Sequence, residues 1–340
     1  MIRIGIICPS EIANRRFLPA LNQLPNFKFI GVAYANKLEW ENATKEIIDN
    51  ERGKAQQIID QYGGKIFDSY TNLIESDKID AVYLPLPPAL HFKWAKLALQ
   101  SGKHVLIEKP ATISYNNSKE LISLAIENKL AIHENYMFAF HSQINAINNI
   151  IKSGTLGDIS LFRLSFGFPR RNAEDFRYNK KLGGGALLDC GGYTLKYAHM
   201  LLGKTARIVY ANSNFTKDFE VDINGSAAMI NELGSTVQIS FGMDNAYKCD
   251  LEIWGSKANL STRRIFTAPE NFVPEALIKI GNKKEIIKLP SDNAFKKSII
   301  YFQGCIDNNV TREKSHNEIL KQAKFVDEFI LKSKNIYYEK

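Results

Sequence analysis

Cysteine is scarce in this chain of 340 residues. The four present (Cys8, Cys190, Cys249 and Cys305) have none of the spacings that zinc or iron–sulfur sites use. No metal is therefore expected, and reduced thiols in the cytoplasm are the simplest reading. No apolar run approaches the ~18 residues needed to span a membrane. No signal-peptide pattern is present, because Met1 runs straight into a strand-like segment. Fixed-period repeats and low-complexity linkers are lacking as well. The formal net charge is +8, yet no long basic run occurs. Scattered Lys and Arg argue against nucleic acid as a partner and leave a mild attraction for anionic ligands.

What is there supports two folded domains. A length of 340 residues with 45% hydrophobic and 11% aromatic content is ample for two cores. Ile2 to Cys8 is an Ile-rich run that fits a buried parallel strand. A turn with Pro9 and Ser10 follows, then a helix carrying Ile12, Ala13, Phe17 and Leu21, then a strand from Phe27 to Ala33. Strand, turn, helix and strand in this order open a dinucleotide-binding fold. The pattern continues through Ile66–Phe67, Ile79 to Leu84, His104 to Ile107 and Ala131 to His133, with helices between them. The longest helix is expected from Leu38 to about Tyr62. This alternation predicts a Rossmann-type doubly wound parallel sheet, with ligands at the carboxyl ends of its strands.

Two local absences fall inside that unit. The phosphate-binding turn should read Gly-x-Gly-x-x-Gly/Ala, but Cys8 and Ser10 stand at the first two positions and only Ala13 fits. The helix N-terminus still favours an anion, and the Ser10 hydroxyl can bond a phosphate oxygen. The second strand runs into Tyr34, Ala35, Asn36 and Lys37 with no carboxylate before Glu39. That leans toward NADP, with NAD as the alternative.

Beyond Tyr136 the pattern changes. A helix from His141 to Ser153 leads to a long alternating strand, Ile159 to Phe168, and further strands from Arg207 onward follow. Short turns such as Glu232 to Ser235 mean antiparallel pairing. The expected second domain is α+β with a large, mostly antiparallel sheet, so the division is 1–134 and 135–340. A final helix is expected from about Asn317 to Leu331. Between the strand ending at Phe168 and the one starting at Arg207 lies Lys181 to Tyr193, where three glycines precede Ala186, Leu187, Leu188 and Asp189. On local grounds this is equally a capped turn or an active site with Asp189 and Tyr193 on one helical face. Lys109, after a buried strand and before Pro110, and His91, at a helix start, have ordinary structural readings of their own. The basic residues Arg170, Arg171, Lys180 and Lys181 are equally solvated loop residues or contacts for a diphosphate.

Taken together, these stretches resemble the Gfo/Idh/MocA oxidoreductase family. The carriers are Glu108-Lys109-Pro110, Asp80 to Pro85 leading to His91, Ser101 to Val105, Gly154 to Ile159, and Gly183 to Asp189. Glu134 to Phe138, His141 and Phe176-Arg177-Tyr178 are similar to the nucleotide-sugar 3-ketoreductases within it. The resemblance implies catalytic roles for Lys109, Asp189 and Tyr193, with a phenol at Tyr193 where many members carry His. It implies reduction of a keto group on a sugar or nucleotide-linked sugar, with Tyr193 as proton donor and Lys109 polarising the carbonyl. The cofactor would lie against Cys8, Pro9, Ser10, Ile12, Ala13, Tyr34, Lys37, Leu86, His91, Glu108 and Lys109. Substrate would meet Tyr136, Phe138, Arg177, Asp189 and Tyr193. A homodimer or homotetramer is implied, covering the open sheet face. The alternatives are a sugar, cyclitol or dihydrodiol dehydrogenase working oxidatively and a non-catalytic ligand sensor of the same fold.

Overall fold

The computed structural model describes residues 1–338. Two units divide the chain: Met1–Asn135 with Phe295–Lys321, and Tyr136–Ala294 with the residues from Gln322 onward. In the first, strands β1 (Ile2–Ile7), β2 (Phe27–Ala33), β3 (Lys65–Phe67), β4 (Ala81–Leu84), β5 (His104–Ile107) and β6 (Ile132–Glu134) form one sheet. Its order is β3-β2-β1-β4-β5-β6, and every neighbouring pair is parallel. This is the expected doubly wound arrangement. The strands are continuous apolar runs because helices cover both faces; all four residues of β4 are buried.

The helices are α1 (Leu18–Leu21), α2 (Lys45–Tyr62), α3 (Tyr70–Ile74), α4 (Pro88–Gln100) and α5 (Tyr115–Glu127). Thr44, Ser69 and Ser114 cap α2, α3 and α5 by accepting amide protons. The helix expected from Leu38 begins only at Lys45. Asn36 Oδ1 takes the amide protons of Leu38 and Glu39, each at 3.0 Å, and so competes with helix formation there.

The second unit contains α6 (Ser142–Lys152), β7 (Ile159–Gly167), α7 (Gly192–Leu202), β8 (Arg207–Thr216), β9 (Asp222–Ile230), β10 (Thr236–Gly242), β11 (Lys248–Gly255), β12 (Asn259–Arg263), β13 (Glu275–Ile280) and β14 (Lys283–Lys288). Together with β15 (Ser333–Tyr338), the sheet order is β14-β13-β12-β11-β7-β10-β9-β8-β15. Pairing is antiparallel except for β7 with β10 and β8 with β15. Side chains alternate between a buried face and an open one, as β9 shows along its whole length. Leu195, Ala198 and Leu202 of α7 are buried in the core on the covered face. On the open face Arg163 bonds Gln238 at 3.1 Å and lies over the Trp254 ring. β15 was not foreseen.

The last two helices, α8 (Ala294–Asp307) and α9 (Asn309–Lys332), correct the expected domain division. Residues 295–321 belong with the first unit. Phe295 meets Phe17 and Tyr83 edge-on, Ile299 and Phe302 are fully buried, and Ile319 joins the core of the parallel sheet. Apolar burial of roughly 1.5–3 kcal/mol per large side chain outweighs proximity in sequence.

Candidate active site

The turn after β1 keeps the backbone of a dinucleotide-binding loop without its glycines. Cys8 sits at φ +82°, the left-handed region that the fingerprint glycine normally supplies. Ser10 Oγ accepts the amide proton of Ala13 at 3.2 Å and so caps the helical turn. Ala13 is fully buried, as close helix–strand packing requires. Burial first, then the charge of Glu51, pushes the Cys8 thiol up to about 12, so it is neutral and unreactive.

The stretch after β2 is closed on itself. Lys37, expected to meet the cofactor, instead donates to the carbonyls of Glu41 and Ala43, the latter at 2.8 Å, and braces its own loop. Glu39 is consumed as well. Its carboxylate accepts from Tyr70 N and Thr71 N at 2.9 Å and from Thr71 Oγ1 at 2.8 Å, capping α3. Tyr34 donates to Asp68 at 3.1 Å.

His91 is a second correction. It is completely buried, with Nδ1 2.8 Å from the Pro110 carbonyl and Nε2 2.8 Å from the Leu86 carbonyl. Burial drives its pKa down to about 4 against the pull of those carbonyls. It ties the loop after β4 to the loop carrying Lys109, with both ring nitrogens against those carbonyls.

Beside Lys109, Glu108 Oε1 accepts from Tyr83 OH and from Asn135 Nδ2, each at 2.7 Å. Burial raises the Glu108 pKa, while Asn135, Tyr83 and Lys109 oppose the rise. On the next strand Glu134 accepts the Ala111 amide proton at 2.8 Å and holds the loop after Pro110.

In the second unit, the three glycines are a close-packing device. A Cβ on Gly184 would stand 2.4 Å from the Arg177 carbonyl oxygen, and one on Gly185 would stand 2.4 Å from Asp222 Oδ1. Asp222 Oδ2 accepts the Leu187 amide proton at 2.7 Å. A π-helical turn, Leu187–Gly191, carries Asp189 and leads into α7, which carries Tyr193. Such turns are frequent at functional sites. Arg177 donates through Nε to Asp189 at 2.7 Å and through its terminal nitrogen Nη1 to Asp175 at 3.1 Å. Burial works against the Arg177 charge, and the two carboxylates more than offset it, so its pKa is raised.

Tyr136 and Phe138, expected at the substrate, are each only 2% exposed. They stand behind Tyr193 instead. Tyr136 and Phe166 meet its ring edge-on at 5.2 Å, and Phe138 and Phe266 flank it at 5.7 and 5.9 Å. The Tyr136 hydroxyl accepts from Gln322 at 3.3 Å.

Residues 2–136 match the family described as oxidoreductases with an NAD-binding Rossmann fold, and residues 144–261 match its GFO/IDH/MocA C-terminal domain. The chain belongs to the Gfo/Idh/MocA oxidoreductase family. Among curated members, a dTDP-3,4-didehydro-2,6-dideoxy-alpha-D-glucose 3-reductase of Actinomadura kijaniata is 35% identical, over 99% of this chain and 97% of its own. An enzyme of the same name from Saccharopolyspora spinosa is 31% identical over 96% of each chain. Among solved structures, KijD10, a 3-ketoreductase from Actinomadura kijaniata in complex with NADP and TDP-benzene, superposes with a TM-score of 0.91 at 34% identity, covering 99% of both chains. KijD10 has also been solved with a tyrosine replaced by phenylalanine and with a lysine replaced by alanine or glutamate.

Membership makes the chain an oxidoreductase with a nicotinamide dinucleotide as cofactor, and the turn after β1 fits that group. Its left-handed Cys8, capped helix start and buried Ala13 reproduce what the glycine pattern exists to provide. In that turn, Cys8, Ser10 and Ala13 are the residues that would hold the dinucleotide. Sequence reasoning passed over Asp222 and Asp175 and met Asn135 only as a member of the stretch Glu134 to Phe138. Asp175, two residues before Arg177, carried a local signal in its spacing; Asp222 acts across a long sequence separation and carried none.

Proposed function

We propose that this protein reduces the 3-keto group of a dTDP-linked deoxysugar with NADPH. One observation carries the reading. The lysine and tyrosine replaced in KijD10 are separated by the same number of residues as Lys109 and Tyr193. Full-length coverage by the 3-reductases supports it.

When bound, the nicotinamide supplies the hydride. Tyr193 donates the proton that turns the developing alkoxide into an alcohol, and its four aromatic neighbours hold the ring for that transfer. Lys109 polarises the ketone. Asp189, held by Arg177, orients a sugar hydroxyl. Preference for NADPH rests on Glu39, whose carboxylate is consumed by α3 and so is withheld from a ribose 2′-hydroxyl. The open face of the large sheet, with Trp254 and Tyr210 exposed, is the surface on which a second copy packs.

The test is turnover. Purified protein with NADPH is offered dTDP-3,4-didehydro-2,6-dideoxy-glucose, free sugars, and a cyclitol with NADP. Consumption of NADPH with the dTDP-ketosugar alone is the expected result. No turnover of it under conditions where NADPH raises the melting temperature would reject the substrate. No shift with NADPH or NADH would reject the cofactor. Light scattering of the native protein should give at least a dimer mass.

A further inference from the structure

A chain of buried polar side chains runs from the C-terminal helices to the residue beside Lys109. His133 is 4% exposed, Asn135 2% and Ser298 0%. His133 Nε2 lies 2.9 Å from Ser298 Oγ; Ser298 Oγ donates to Asn135 Oδ1 at 2.8 Å; Asn135 Nδ2 donates to Glu108 Oε1 at 2.7 Å. The direction of every link follows from the chemistry. A carboxylate only accepts, so Asn135 presents its NH2 to Glu108 and its carbonyl to Ser298. The single Ser298 proton is then spent on that carbonyl. His133 must therefore donate through Nε2, which sets its tautomer. Behind it, Ser315 gives its proton to the Ile132 carbonyl at 3.0 Å and stands 3.4 Å from His133 Nδ1.

All three links donate toward Glu108. We propose that His133 and Ser298 are positioning residues which, acting through Asn135, hold the Glu108 carboxylate in place beside Lys109. Serial donors in a buried setting polarise one another and favour a negative charge at the end of the chain. Held in place, that carboxylate fixes the polar surroundings in which Lys109 meets a ketone. This last step rests on the proposed ketone reduction; the relay itself does not. The other titratable groups facing the relay are Tyr83 of β4, Lys109, Glu134 of β6 and Tyr301 of α8, whose ring is 5.1 Å from His133. Glu318 of α9 and Cys305 of α8 act on Tyr301. Tyr83 and the relay each donate a side-chain hydrogen bond to Glu108, so loss of the relay leaves the carboxylate with fewer donors.

Two measurements decide it. The first is an infrared pH titration of the cofactor-free protein, in which the protonated-carboxyl band of Glu108 is assigned by its loss in Glu108→Gln. Ser298→Ala should raise the midpoint by about one pH unit, the equivalent of one charge-assisted hydrogen bond. Ser298→Thr, which keeps the hydroxyl, should restore it. His133→Leu should match Ser298→Ala, whereas His133→Gln, which keeps an N–H donor, should stay near the parent. The second is the pH profile of NADPH-dependent ketone reduction. There Ser298→Ala should lower kcat about tenfold and move its acid limb upward by the same amount as the infrared midpoint, with KM within about twofold. A Glu108 midpoint that stays put in both Ser298→Ala and His133→Leu overturns the proposal, even if both variants melt earlier. Because the infrared titration needs no substrate, it tests the relay even if the ketone reduction fails.

Discussion

Arg177 and Asp189 form a charge-assisted hydrogen bond of 2.7 Å across the turn that carries the candidate catalytic helix. Arg177 also binds Asp175, and its carbonyl accepts the Gly185 amide proton at 2.9 Å. One residue thus sets both the side chain of Asp189 and the backbone that precedes it. Arg177→Ala leaves two largely enclosed carboxylates short of a partner and should cost roughly 1–3 kcal/mol of stability. Arg177→Lys should recover little, because an ammonium cannot span two carboxylates as a guanidinium does. Urea unfolding of the two variants reads the outcome; full stability of Arg177→Lys would show that charge alone suffices.

Tyr193 is gripped by its ring. Tyr193→Phe should leave the melting temperature within about 2 °C, since the change removes a hydroxyl and keeps all four aromatic contacts. Turnover should fall about 10²–10⁴-fold. Lys109→Ala should do the same to turnover. Stopped-flow rates with saturating NADPH separate the chemical step from binding, and near-parent rates in both variants would remove these residues from the mechanism.

Cys8 holds a backbone conformation that L side chains resist. Cys8→Gly relieves that resistance while loosening the unfolded chain, so stability should change by less than about 1 kcal/mol and NADPH affinity should hold. Cys8→Val places a branched Cβ at positive φ and should cost about 1–2 kcal/mol. Thermal unfolding and fluorescence titration with NADPH report both effects. Equal behaviour of the two variants would mean that the turn relaxes out of the left-handed region.

Asp222 holds its proton more tightly in the folded chain, because burial pushes its pKa from 3.8 to about 7 against the amide bond from Leu187. Its contribution to stability is therefore fully present below about pH 4 and is lost as the pH rises through about 7. Asp222→Asn keeps an oxygen for Leu187 and should flatten that part of the stability–pH curve, without a penalty at pH 8. Asp222→Ala loses the cap and should cost about 1–2 kcal/mol at every pH. A curve for Asp222→Asn that still falls between pH 4 and 7 would assign the effect to another group.

The residues of the candidate site stand out in local pattern. Lys109 follows a buried strand, and Asp189 and Tyr193 follow a glycine run whose purpose is close packing; both signals span only a few neighbouring residues. Tyr136, Phe138, Lys37 and His91 have a feature in common that the sequence does not show: each contacts a neighbour in the fold, whether an aromatic ring, a loop carbonyl or a strand-end carbonyl. Residue type and spacing do not reveal whether a polar group's valence is already used.

By itself the sequence determined the alternation of strands and helices, the doubly wound sheet and the antiparallel second sheet. These follow from hydrophobic periodicity and short motifs, which are properties of neighbouring residues. Tertiary structure alone decided that residues 295–321 return to the first unit, that Asp222 caps the turn before Tyr193, and that Ser298 joins His133 to Glu108. Those relations join positions far apart in the chain. They exist because buried polar groups must find partners wherever the packed core brings them, and periodicity along a chain carries no record of that choice.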